Sequence, residues 1–209
     1  TMAHCAAPSA ALVAIVCDGD GDRRLHAVAA ADRGAEMAVE EPLMVVPENA
    51  LGLICAAPGA QALLEAGAAL GTYRSLGAYA AYAAMAAERR PLVDRLRADP
   101  SPVLTKVQRS VAHLLEARPA LAATADWQEL LRLHGILNTN AIKLRDGALA
   151  LYDKICMVSH SCGPNCEVIE AVELHGAAAW KGHPRATMLR TTAPVMAGEE
   201  LTISYVPSM

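Results

Sequence analysis

Three short stretches of this chain gather side chains that can do chemistry. The densest is residues 159–166, where Ser159, His160, Ser161, Cys162, Gly163, Pro164, Asn165 and Cys166 sit between two apolar runs. By itself the stretch fits a hydrogen-bonded irregular loop with a core cysteine, because short polar side chains satisfy backbone groups where regular ladders stop. His160, Cys162 and Cys166 are also metal-ligand types. Their spacing is not that of a common zinc knuckle and no second Cys/His pair follows, so no metal is expected. The second stretch runs from the Gly198 turn through Glu199, Glu200, Leu201, Thr202, Ile203 and Ser204 to Tyr205. Its alternation is that of a strand, and Tyr205 can be an amphipathic strand-end residue or a hydroxyl aimed at a reacting centre. The third is residues 136–142, with Asn138 and Asn140 where helical pattern gives way to strand pattern. Asn there also serves as a helix C-cap. Asp18, Gly19, Asp20, Gly21 and Asp22 suggest a calcium loop, but the later glycine and the twelfth-position glutamate are missing. We read them as a turn.

The elements that must position these residues form three blocks. Strand-like runs cover 11–16, 25–29 and 37–46, the last broken by Pro42. Apolar recurrence at three and four predicts helices over 61–70, 73–90, 92–98, 103–116 and 126–133, punctuated by Pro91, Pro100, Pro102 and Pro119. Asp126 and Glu129 have the spacing of a capping box. Strands return at 141–144, 149–152, 168–174, 186–190 and 200–205. A strand block split by a helical insert is an α+β layout, with expected bounds of 8–57, 58–135 and 136–206.

Composition narrows the function classes. The 209 residues include 5 Tyr, 2 Trp and no Phe, so Leu, Val, Ile, Met and many alanines must fill the core. The formal net charge is −4 and the 18 basic residues are scattered. The footprint of a dedicated nucleic-acid binder is therefore absent. No run of 18 apolar residues suggests a membrane span, and Thr1, Met2, Ala3 and His4 do not read as a secretion signal. Six cysteines without a C-x-x-C pair fit a reducing interior, in the nucleus or the cytoplasm.

Taken in order, these segments resemble the SET domain, and within it the SET-and-MYND branch. That family carries an Asn-small-apolar segment, then a Leu-Tyr strand, then Asn-His-Ser-Cys-x-Pro-Asn, then Gly-Glu-Glu-Leu-x-Ile-x-Tyr. Here Asn140, Ala141 and Ile142, then Leu151 and Tyr152, then residues 159–165, then residues 198–205 follow that order. Residues 33–43, with Gly34, Glu40, Glu41, Pro42 and Leu43, are similar to an N-terminal SET segment. The resemblance implies a β-clip of short strands and small sheets with a pseudoknot, plus an Ala-rich helical insertion. It implies a protein-lysine methyltransferase that uses S-adenosylmethionine and acts on a histone or non-histone protein presenting a lysine. Tyr205 matches the family's catalytic tyrosine. His160 would hold the cofactor through its backbone, with Arg24, Asn140 and Ser159 as further cofactor-binding residues.

The sequence also departs from the family pattern. Ser159 stands where Asn is usual, and Gly21 to Arg24 lacks the second glycine of a Gly-x-Gly turn. Neither a MYND finger nor the cysteine-rich segment that follows the SET domain is recognised, so Cys162 is expected to have no zinc partners here. These departures keep a second expectation open, a catalytically weak or inactive SET-like module used for protein binding.

Overall fold

The computed structural model describes residues 12–17, 22–70, 73–98, 102–175 and 182–205. The turn expected at 18–22 lies outside the described residues apart from Asp22, as does Cys5. The chain opens with β1 (Val13–Cys17), β2 (Arg23–Ala27), β3 (Glu36–Glu40) and β4 (Met44–Val46). Helices α1 (Leu51–Ala56), α2 (Ala60–Leu70), α3 (Arg74–Ala83), α4 (Arg90–Asp94), α5 (Pro102–Ala117) and α6 (Trp127–Asn140) follow, with a 3-10 turn at Pro119–Ala123. After β5 (Ile142–Lys143), β6 (Leu149–Leu151) and a 3-10 turn at Ile155–Met157 come β7 (Ser159–His160) and β8 (Cys166–Glu170). The last elements are α7 (Ala171–His175), β9 (Thr187–Thr191) and β10 (Thr202–Ile203). The fold is α+β, built from helices and several small sheets.

Contacts group the chain into two units, residues 1–41 with 154–209, and residues 42–153. In the first unit β1 and β2 form an antiparallel pair from Val13↔Ala27 to Cys17↔Arg23. β3, β9 and β8 form an antiparallel sheet whose β3 register shifts between Glu36 and Ala38. Met37, Thr187, Met188 and Leu189 are buried on it. The buried Thr191 hydroxyl donates to the Asp32 carbonyl at 2.6 Å and accepts from the Ala35 N–H at 2.8 Å. A buried hydroxyl needs such partners, and these pin the turn ahead of β3. Glu40 accepts from the backbone N–H groups of Lys154 and Ile155 at 2.9 and 3.1 Å. Its carboxylate thereby closes the exposed start of the 3-10 turn that leads into β7. The strand expected at 168–174 divides into β8 and the short helix α7. The ladder ends where the Ala171 N–H donates to the Ala186 carbonyl, and the Ala, Glu and Leu that follow are good helix formers.

In the second unit β4, β6 and β5 form an antiparallel sheet, and helices α1 to α6 belong to the same unit. Helix α1 was not expected, because a six-residue apolar run is too short for periodicity to separate helix from strand. Asn49 Oδ1 accepts from the Leu51 N–H at 3.2 Å and starts it. Gly77 shows why small residues matter here: a Cβ on it would lie 2.4 Å from the Ala50 Cβ. Only glycine lets α3 come that close to the start of α1. Core side chains are Leu25, Met188 and Leu189 in the first unit and Ile54, Leu63, Leu76, Leu130, Leu133, Ile136, Leu151 and Tyr152 in the second. The Asp126–Glu129 spacing forms half of a capping box. Asp126 Oδ1 accepts from the Glu129 N–H at 3.0 Å, but the Glu129 carboxylate turns to Arg132 at 2.6 Å. The Asp126 N–H instead donates to the Tyr79 hydroxyl at 3.3 Å.

Candidate active site

Ser159, His160 and Tyr205 are carried by two segments that lie side by side. β7 and β10 pair in parallel, Ser159 with Thr202 and His160 with Ile203. The Ser161 N–H extends the pairing by donating to the Ile203 carbonyl at 2.9 Å. Upstream of β10, the Ala27 N–H donates to the Glu199 carbonyl and the Leu201 N–H to the Leu25 carbonyl. Residues 198–203 therefore run along β2 first and β7 next. Gly198 turns the chain into this run at φ +81, a left-handed value that suits glycine.

Asn165 locks the arrangement. Its amide Nδ2 donates to the Glu200 carbonyl at 2.9 Å and to Glu199 Oε1 at 3.0 Å. Its Oδ1 accepts from the Thr202 N–H at 2.9 Å. One amide thus donates twice and accepts once along residues 199–202, which a carboxylate with no proton or a hydroxyl with one cannot do. Glu199 also accepts from the Met196 N–H, and these bonds hold its carboxyl below the usual range, the Met196 bond contributing most and Asn165 next. Cys166, next in the chain, is buried, and burial with the nearby Glu199 charge pushes its thiol up to about 11. At neutral pH it is therefore a neutral thiol.

His160 and Tyr205 are joined directly. The Tyr205 backbone N–H donates to His160 Nδ1 at 3.0 Å. In the neutral ring the proton therefore sits on Nε2, which lies 3.7 Å from Cys162 Sγ. The two rings lie 5.1 Å apart at a tilt of 43°. The Tyr205 hydroxyl donates to the Val158 carbonyl at 2.7 Å. The residue as a whole is 62 % exposed, so the ring is open while its hydroxyl end is tethered. Burial of that hydroxyl, with Cys156 adding to it, pushes the phenol above its ordinary value. At neutral pH Tyr205 is thus a phenol with its proton engaged and its oxygen lone pairs available.

Arg24 and Ser159 meet through a residue the sequence reading passed over. Ser159 Oγ donates to Glu200 Oε1 at 2.6 Å and Arg24 Nη1 to Glu200 Oε2 at 3.2 Å. The Ser159 bond is the main reason the Glu200 carboxyl lies below its usual range, with Arg24 and His26 reinforcing it against partial burial. Asn140 belongs to the second unit, at the end of α6. Its Nδ2 donates to the Arg97 carbonyl at 2.7 Å and the Ile136 carbonyl at 2.8 Å. Four of the five expected site residues thus come together in one unit as two pairs. Glu200 was visible in the sequence only as half of a Gly-Glu-Glu turn. The Val158 carbonyl has no side-chain signature at all. Among the described residues no trio of His, Cys, Asp or Glu is placed to hold a metal ion.

Comparison with known proteins bears on the family and the fold. A family model described as the SET domain matches residues 43–206. The mouse (Mus musculus) protein "Histone-lysine N-methyltransferase Smyd1" is 28% identical in an alignment over 99 residues that covers 44% of this chain. The human (Homo sapiens) protein "Histone-lysine N-methyltransferase SMYD1" matches to the same extent. The matched stretch spans only 20% of the length of these curated relatives. The crystal structure of the SET domain of LSMT bound to lysine and AdoHcy superposes with a TM-score of 0.51 at 15% identity, covering 96% of this chain and 51% of that one. That likeness is one of fold. With the family model covering most of its length and the paired segments of the site in place, the chain belongs to the SET-domain family.

Proposed function

We propose that this chain is an S-adenosylmethionine-dependent protein-lysine N-methyltransferase of the SET-and-MYND branch. The observation that carries the reading is the Tyr205 hydroxyl, held on the Val158 carbonyl beside the His160 ring. A cofactor fits the residues present. β7 has β10 on one edge only among the described strands, which leaves the other backbone edge around Ser159 and His160 to a ligand. Arg24 and Ser159 of the same unit would complete this part of the cofactor's surroundings. When bound, S-adenosylmethionine supplies an electrophilic methyl group on a sulfonium. The substrate class is a protein presenting a lysine side chain.

The chain's own residues then have defined tasks. A lysine ammonium has no lone pair and must lose a proton before it can attack. Tyr205 is not the base, because its phenol is held above its ordinary value and it already donates its proton to Val158. The proton therefore leaves to water. The Tyr205 oxygen accepts a hydrogen bond from the neutral amine and aims its lone pair. Orienting two reactants at about 3 Å is itself a large share of such a catalytic effect. The methyl group would come from the bound cofactor, and Tyr205 would hold the amine that receives it.

A second reading, a SET-like module for protein binding, is favoured by Ser159, which stands where the family pattern has Asn. Titration with S-adenosylmethionine and S-adenosylhomocysteine separates the two. A ligand at a hundred times its dissociation constant raises stability by about 2.7 kcal/mol. Absence of any shift at millimolar ligand rejects the methyltransferase reading. Where binding is seen, Tyr205→Phe should retain it and lower the rate on a lysine peptide by roughly a hundredfold, the usual scale for one oriented polar group. An unchanged rate would remove Tyr205 from the reaction.

A further inference from the structure

Resting on that reading, we infer that Glu200 is a positioning residue of the cofactor pocket, one carboxylate that sets the side chains of both Arg24 and Ser159. The two belong to different strands, β2 and β7. What joins them is Glu200, through Ser159 Oγ at 2.6 Å on one oxygen and Arg24 Nη1 at 3.2 Å on the other.

The backbone around Glu200 does not depend on that carboxylate. Glu199 and Leu201 on either side are hydrogen-bonded to Ala27 and Leu25 through main-chain groups. Thr202 and Ile203 are paired to β7, and the Glu200 carbonyl is held by Asn165. The carboxylate is therefore an orienting device placed on a frame that stands without it.

Its effect on each partner follows from valence and entropy. A serine hydroxyl has one proton and two lone pairs. With the proton committed to Glu200, Ser159 can present only an acceptor, which suits an ammonium or a sugar hydroxyl of the cofactor. Arg24 is a long side chain that loses much rotamer freedom whenever it is ordered, and pairing to Glu200 orders it before any ligand arrives. Preorganisation of this kind shows up as affinity. His26 faces the same carboxylate from β2, opposite Glu200 in an isolated bridge, while its Nδ1 is engaged with the Gly198 carbonyl at 2.9 Å.

The test uses the full chain, S-adenosylhomocysteine by calorimetry, and steady-state rates on a lysine peptide. Glu200→Gln should bind S-adenosylhomocysteine about tenfold more weakly, with the loss in KM for S-adenosylmethionine exceeding the loss in kcat. Arg24→Gln should weaken binding to a similar degree, and the double variant no further than either single one, as expected for side chains acting as one unit. Ser159→Thr should retain affinity that Ser159→Ala loses. Unchanged affinity in Glu200→Gln, or effects that multiply in the double variant, overturns the inference and leaves the methyltransferase reading standing. If the unsubstituted chain binds no S-adenosylhomocysteine, both fall together. Should Glu200→Gln fail to fold, equal affinities of Ser159→Ala and Ser159→Thr overturn the inference.

Discussion

Asn165 and Tyr205 illustrate how much of the site rests on single polar groups. The Asn165 amide donates to Glu199 and Glu200 and accepts from Thr202, so no shorter or singly functional side chain replaces it. Asn165→Ala should destabilise the chain by about 2 kcal/mol, the cost of stranding partly buried partners, measured as a lower urea midpoint at unchanged slope. Asn165→Asp retains the acceptor for Thr202 but sets a second carboxylate beside Glu199. It should therefore be at least as damaging at neutral pH and recover towards acid, where the carboxylates protonate. Equal stability of Asn165→Asp and the parent at pH 7 would remove Asn165 from the role given it. Tyr205 and His160 were legible in the sequence because their types stand in a recognisable order. The Val158 carbonyl that aims Tyr205 was not, since every residue carries one.

Among the elements, α3 and α6 give the clearest tests. Asp126 caps α6 through the Glu129 N–H, so Asp126→Ala should cost about 1 kcal/mol and Asp126→Asn only a few tenths, read from thermal unfolding. Gly77→Ala improves intrinsic helix propensity by about 1 kcal/mol, yet its new Cβ meets the Ala50 Cβ at 2.4 Å. A net loss of stability is expected; a gain would show that α3 can move away from Ala50. The same helix pair holds a titrating group. Ser75 and His134 Nδ1 lie 2.6 Å apart, and His134 Nε2 is buried without a hydrogen-bond partner among the described residues. Burial lowers the His134 pKa in the folded chain. Unfolded chain, with an ordinary value of about 6.5, then binds the proton first as pH falls. Stability is therefore complete above about pH 6.5 and declines below it until the folded-state value is passed. His134→Gln should flatten this limb in denaturation curves recorded from pH 7.5 to pH 5; an unaltered limb assigns it to another group.

Over the whole molecule, the two units differ in how the chain builds them. Residues 42–153 are contiguous, whereas the first unit joins residues 1–41 to 154–209, for example where β3 pairs with β9. Closing a long loop before gaining contacts slows folding. Pulse-labelled hydrogen exchange should thus find α3 and α6 amides protected before those of β3 and β9, and the reverse order would contradict this reasoning. Among the described residues no helix is long and apolar enough to cross a membrane. The order of local signals in the sequence was enough for the α+β class and the SET resemblance, because strand alternation, turn glycines and motif spacing are local properties. The split of 168–174 into strand and helix and the Tyr79 partner of the Asp126 N–H depended on residues further along the chain. So did the partnership of Arg24 with Ser159 through Glu200. A carboxylate's role is set by which donors reach it, and those donors come from strands more than a hundred residues apart in the case of Arg24. Only tertiary structure brings them within hydrogen-bonding distance.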